Sequence, residues 1–89
     1  MTATAATPLQ PPEPLELCAM CKAHRTYQYD FDKRCCRARH TLSMNKAMRQ
    51  AKYHLLRDRY GDGYARQAKA DVRALWEFYE AQKKEEAAG

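Results

Sequence analysis

Glycine is scarce in this chain: three in 89 residues, at 61, 63 and 89. That leaves no glycine-rich loop to cradle phosphates with backbone N–H groups, and neither an H-E-x-x-H helix nor a serine-nucleophile motif is present. A non-enzymatic chain is therefore expected. No stretch approaches the roughly 18 consecutive apolar residues that signal a membrane span. The N-terminus lacks a basic segment followed by an apolar one, so no secretory signal is expected. The expected compartment is the reducing cytoplasm, where four cysteines point to metal or free thiols before disulfides. Large apolar residues are nearly missing from the first 15 positions, which hold all four prolines. Residues 1–15 are accordingly expected to form a disordered arm.

Acidic residues are the minority, 11 against 16 Lys and Arg, and their placement is uneven. Residues 22–73 hold 14 bases and 5 acids, whereas both ends are net acidic. A basic middle favours an anionic partner such as nucleic acid or an acidic protein surface. With the arm set aside, about 70 residues remain. A domain of that size has a marginal core and commonly needs a metal, a disulfide or a second chain.

The pattern along the chain predicts a mainly α architecture. Tyr27, Tyr29 and Phe31 alternate with polar residues, the period of a short strand over 26–31. Asp32 is placed to cap a short helix, Lys33 to Leu42, that carries Cys35, Cys36 and His40. Ser43 is the next candidate cap. From there Met44, Ala47, Met48, Ala51 and Leu55 recur with helical spacing and form the expected core stripe. Gly61 suits the end of that helix, and Gly61-Asp62-Gly63 the turn. The last helix, from Gly63 to Lys84, presents Tyr64, Ala68, Val72, Leu75 and Tyr79, with Ala65 and Trp76 at the edge. The expected organisation is an arm (1–15), a Cys/His knuckle with a short helix (16–42), an antiparallel two-helix hairpin (43–84) and a frayed tail (85–89).

The sharpest chemical signal is C18-x2-C21-x13-C35-C36-x3-H40. A C-x2-C turn converges two thiolates, and Cys36 and His40, four apart on a helix, share a face. Cys18, Cys21, Cys36 and His40 are the predicted ligands of a structural Zn²⁺, with Cys35 the substitute for Cys36 and His24 for His40. Four protein ligands would leave no open position for catalysis. Arg37, Arg39, Arg49, Arg66, Lys69 and Arg73, together with Tyr53, Leu56 and Trp76, are the candidates for nucleic-acid or partner binding, since aromatics beside bases suit stacking. The apolar arc of the last helix is wider than one partner helix covers, which makes a homodimer a further expectation.

From 18 to 40 the order of C-x2-C, strand and ligand-bearing helix resembles a zinc-knuckle or treble-clef-like arrangement, although Cys35-Cys36 replaces the usual second C-x2-C. CRARH at 36–40, the helix MNKAMRQAKYHLLRDRYG and the closing DVRALWE resemble small uncharacterised phage and prophage proteins with a Cys/His knuckle and a helical hairpin. That resemblance implies a phage accessory role in the host cell. Two functions are thus expected as alternatives. The first is a zinc-stabilised basic module acting on nucleic acid or a nucleoprotein. The second is an inhibitor docking on a host nucleic-acid or defence enzyme.

Overall fold

The computed structural model describes residues 12–23 and 28–88. They form four helices: α1 (Ala19–Ala23), α2 (Arg34–Leu42), α3 (Lys46–Tyr60) and α4 (Asp62–Ala88). No strand occurs among the described residues. Tyr29 and Phe31, expected to alternate along one, instead lie on non-strand backbone with their rings stacked on each other at 5.5 Å. Both rings meet the His40 imidazole edge-on, so the pair packs against α2 rather than against a neighbouring strand, with Phe31 still half exposed. Tyr27 and His24 lie outside the described residues.

Helix boundaries follow local chemistry. Asn45, not Ser43, caps α3, its Oδ1 accepting the Met48 N–H at 2.9 Å. The Ser43 hydroxyl donates to the His40 carbonyl at 2.6 Å, which closes α2 instead. Asp32 does not cap α2; Lys33 precedes the helix and makes no side-chain cap. Gly61 ends α3 as expected. Its φ of 97° is one a side chain would resist, and its N–H reaches the Arg57 carbonyl at 2.8 Å.

α4 is the spine. It packs against both α3 and α2, and α1 rests on α2. α3 and α4 pack on each other across Gly61, and α2 takes up a further part of the α4 surface. Ala65, Val72 and Leu75 of α4 are buried, Leu75 completely. The α2 contact is fixed by a bidentate pair: Arg34 Nη2 and Nε donate to the two Asp71 oxygens at 2.7 and 3.0 Å. Gln67 donates to the same carboxylate at 2.8 Å. Asp71 is nearly inaccessible, so these charge-assisted bonds replace the water it lost. Part of the expected arm joins this layer. The Glu13 N–H donates to Gln67 Oε1 at 2.8 Å, its carbonyl accepts from Arg34 at 3.0 Å, and Leu15 and Leu17 pack on the core.

α3 turns a different face inward from the one its apolar residues mark. Tyr53 is buried, and Arg49, Lys52 and Leu56 are half-buried beside it. Met48 and Leu55 are 55% and 51% exposed, with Ala47 and Ala51 on the same open face. One Tyr, one Leu and two long aliphatic stems cover more of α4 than two alanines and two flexible side chains would. The charged heads still find partners: Arg49 donates to the Met44 carbonyl at 2.5 Å and Lys52 to Thr41 Oγ1 at 2.6 Å.

This packing predicts unequal costs for two leucines. Leu75→Ala should lose about 2–5 kcal/mol, the range for a buried leucine. Leu55→Ala should change stability by no more than about 0.5 kcal/mol. Urea midpoints at unchanged slope measure both; equal losses would mean that α3 packs through its Met48/Leu55 face.

Candidate metal centre

The Cys18-Ala-Met-Cys21 turn starts α1, while Cys35 and Cys36 occupy the first turn of α2. α1 sits over that first turn, and the four Sγ atoms lie within 4.8 Å of one another. Cys36 Sγ is 3.7 Å from both Cys18 Sγ and Cys21 Sγ. The Cys18 N–H points at Cys35 Sγ at 3.3 Å. None of the four is in a disulfide, and Cys21, Cys35 and Cys36 are buried. Four thiolates about 2.3 Å from one ion in a tetrahedron would lie about 3.8 Å apart. The observed spacing fits that figure, and the residues can hold one metal ion.

The donor set differs from the predicted one. Cys35 joins Cys36 instead of substituting for it, and His40 is outside. The reason is geometric. The C-x2-C turn lies over the N-terminal end of α2, and His40, four residues on, sits about 6 Å further along the axis. There its ring packs 5.2 and 5.4 Å from Tyr29 and Phe31. The two adjacent cysteines diverge by about 100° around α2, but the knuckle wraps the end of the helix and meets both.

The electrostatics pull the two thiols of the C-x2-C turn in opposite directions. The Cys21 N–H holds the Cys18 thiol down at about 6, with burial opposing it. Burial pushes Cys21 up to about 12, against the pull of Arg39. A cation must therefore displace a firmly held proton at Cys21, and its positive charge replaces that proton. Arg39 is placed to help. It is 5% exposed, its Nε donates to Cys21 Sγ at 3.3 Å, and its guanidinium lies 4.3 Å from the Tyr29 ring centroid. It also donates to the Gln28 carbonyl. α4 closes the far side: the Tyr79 hydroxyl donates to the Cys21 carbonyl at 2.6 Å, and Gln82 reaches the Lys22 carbonyl at 3.4 Å.

Arg39, which the sequence grouped with the partner-binding bases, is buried against the sulfur cluster. Its position three and four residues after Cys36 and Cys35 was the available signal, since that spacing places it on their face. The other expected binding residues divide. Arg37 is half-buried and donates to the Phe31 carbonyl at 2.6 Å. Tyr53 is buried under Lys69, whose Nζ lies 5.4 Å from the ring centroid. Leu56 is turned toward α2 and α4, where it lines a small cavity. Arg49, Lys69, Arg73 and Trp76 border one open groove between α3 and α4. Arg57, Arg66 and Lys69 line its continuation, which includes a single acid, Asp62. Trp76 is 52% exposed at one end.

The chain matches no protein-family model, no curated protein and no solved structure with which it was compared. No helix among the described residues is long and apolar enough to cross a membrane.

The sulfur geometry predicts that Cys35→Ser and Cys36→Ser impair metal retention alike, read as metal per chain after gel filtration. A silent Cys35→Ser would restore a three-cysteine site. Protons compete with the metal for thiolates, so metal is released as pH falls. Removing the Arg39 charge weakens the thiolates, and Arg39→Gln should move release to higher pH. An unchanged or lower release pH would separate Arg39 from the centre.

Proposed function

We propose that the chain is a small, non-catalytic, zinc-stabilised module that binds nucleic acid along the groove between α3 and α4. Four thiolates are a soft donor set suited to zinc, and their spacing fits one ion, whereas a multi-iron cluster would hold the cysteines further apart. Four protein ligands fill a tetrahedral zinc, so the ion supports the fold. Structural zinc in small peptides contributes on the order of 10–16 kcal/mol, as much as the whole stability of a typical domain, about 5–15 kcal/mol.

The observation that carries the binding function is the groove: Arg49, Arg57, Arg66, Lys69 and Arg73 converge on it, with the chain's single tryptophan exposed at its end. Bases along a groove follow a phosphate backbone, and an indole offers a face for a nucleobase. Arg73 and Arg57 have carboxylates nearby, Glu77 at 3.2 Å and Asp58 at 3.8 Å, but these pairs are exposed and exchange readily for phosphate.

A second reading rests on the open Ala47/Met48/Ala51/Leu55 face of α3. An apolar stripe of that kind suits a protein surface, consistent with an inhibitor that docks on a nucleic-acid-processing or defence enzyme. In that reading Met48 and Leu55 replace Tyr53 and Leu56 as the contacts.

Fluorescence anisotropy with labelled single- and double-stranded oligonucleotides tests the first reading. Affinity should fall steeply with salt, and Arg66→Gln and Arg73→Gln should each lower the salt slope by about one. Trp76→Ala should cost about 1–3 kcal/mol if a base stacks there. No binding of DNA or RNA at low salt rejects this reading. Loss of partner capture by Leu55→Glu, with nucleic-acid binding absent, supports the second.

A further inference from the structure

α2, α3 and α4 border a partly open cavity of about 120 Å³ that shares no lining residue with that groove. Its walls include Arg34, Arg37, Thr41, Lys52, Tyr64 and Asp71, with an otherwise largely apolar lining. Three cations and one carboxylate leave the lining at +2. Asp71 is already taken by both Arg34 donors and by Gln67. Lys52 and Arg37 form no ion pair with any described residue. Lys52 spends one of its three N–H donors on Thr41 Oγ1, and Arg37 one of its five on the Phe31 carbonyl. The rest have no protein acceptor among the described residues.

Two half-buried cations in one small cavity oppose each other. Burial lowers the Lys52 pKa, and the Arg37 charge lowers it further. Such an arrangement costs stability unless an anion joins it.

We infer that this cavity is a binding site for one phosphoryl group, held by Lys52 and Arg37. The charge decides the class: a phosphate monoester or orthophosphate carries about −1.5 to −2 at neutral pH, the complement of the lining. The size limits the ligand. The cavity exceeds by several-fold the roughly 10–15 Å³ that one water needs. It is well below the about 300–1,000 Å³ of pockets that enclose drug-sized molecules. A nucleoside does not fit inside, whereas a free phosphate or the terminal phosphate of a longer molecule does. The site lies apart from the groove and stands whether or not the groove binds nucleic acid.

The test titrates inorganic orthophosphate into the full-length, zinc-loaded protein, with sodium chloride of matched ionic strength as control. Backbone amide shifts and the melting temperature are read. Orthophosphate should raise the melting temperature more than chloride and shift the amides of Thr41, Lys52 and Tyr64. Lys52→Met keeps the packing stem and removes the charge; it should weaken the phosphate effect roughly tenfold or more. It should also leave the ligand-free protein folded, because it removes an uncompensated cation. The Arg66→Gln/Arg73→Gln double variant should respond as the parent does. Equal effects of phosphate and chloride overturn the inference. So does a response that survives Lys52→Met, or one that vanishes only in the groove variant. A parallel arm compares an oligonucleotide bearing a 5′-phosphate with its 5′-hydroxyl counterpart. A Lys52-dependent preference assigns the site to a terminal monoester, and equal binding assigns it to free phosphate.

Discussion

The gathering of four cysteine sulfurs where α1 meets α2 is the constraint that the remaining structure depends on. Among the described residues, three of them are among the most buried, and Leu75 is the single large aliphatic side chain that is fully buried with them. Without a cation, the cluster adds only small side chains to the core, and thiolates in close contact repel. With one ion, the same atoms become cross-links joining two short helices, neither of which would be stable alone. A helix of five residues and another of nine are below the length at which isolated helices persist in water.

α4 transmits that constraint to the rest of the molecule. It meets the cluster through Leu75, Tyr79 and Gln82, binds α2 through Asp71 and carries α3 on its first half. One element thus touches the proposed metal centre, the anion cavity and the basic groove. The buried Asp71 carboxylate has a particular part. By engaging Arg34 it leaves Arg37 and Lys52 without a counter-charge, so the stability of the α2–α4 contact and the charge of the cavity have the same origin. Arg39 makes the equivalent commitment to the sulfurs. The outward bases Arg66, Lys69 and Arg73 are exposed, as the proposed groove requires.

Much of this was legible in the sequence where a residue type has one dominant use. The C-x2-C turn, Gly61 at the end of α3, and the Val72 and Leu75 stripe of α4 are such cases. The errors share a cause. Counting apolar letters on α3 selected Met48 and Leu55 and ignored the aliphatic stems of Arg49 and Lys52, which line the interface around Tyr53. Helical spacing paired Cys36 with His40, but it carries no information on which end of α2 the knuckle would cover. Alternation of Tyr29 and Phe31 suggested a strand, yet a strand needs a partner for its backbone, and the two rings pack edge-on against His40 instead. Charge counting grouped Arg39 with the surface bases, because composition does not reveal which arginine is buried against the sulfurs.

The account turns on four sulfur ligands around one ion. X-ray absorption at the zinc edge of the purified, zinc-loaded chain tests this most directly, since it reads the number and kind of ligand atoms. The account predicts four sulfur scatterers at about 2.3 Å and no imidazole signature. Three sulfurs with one nitrogen would return a histidine to the site and contradict the four-cysteine centre, as would a folded chain that takes up no zinc.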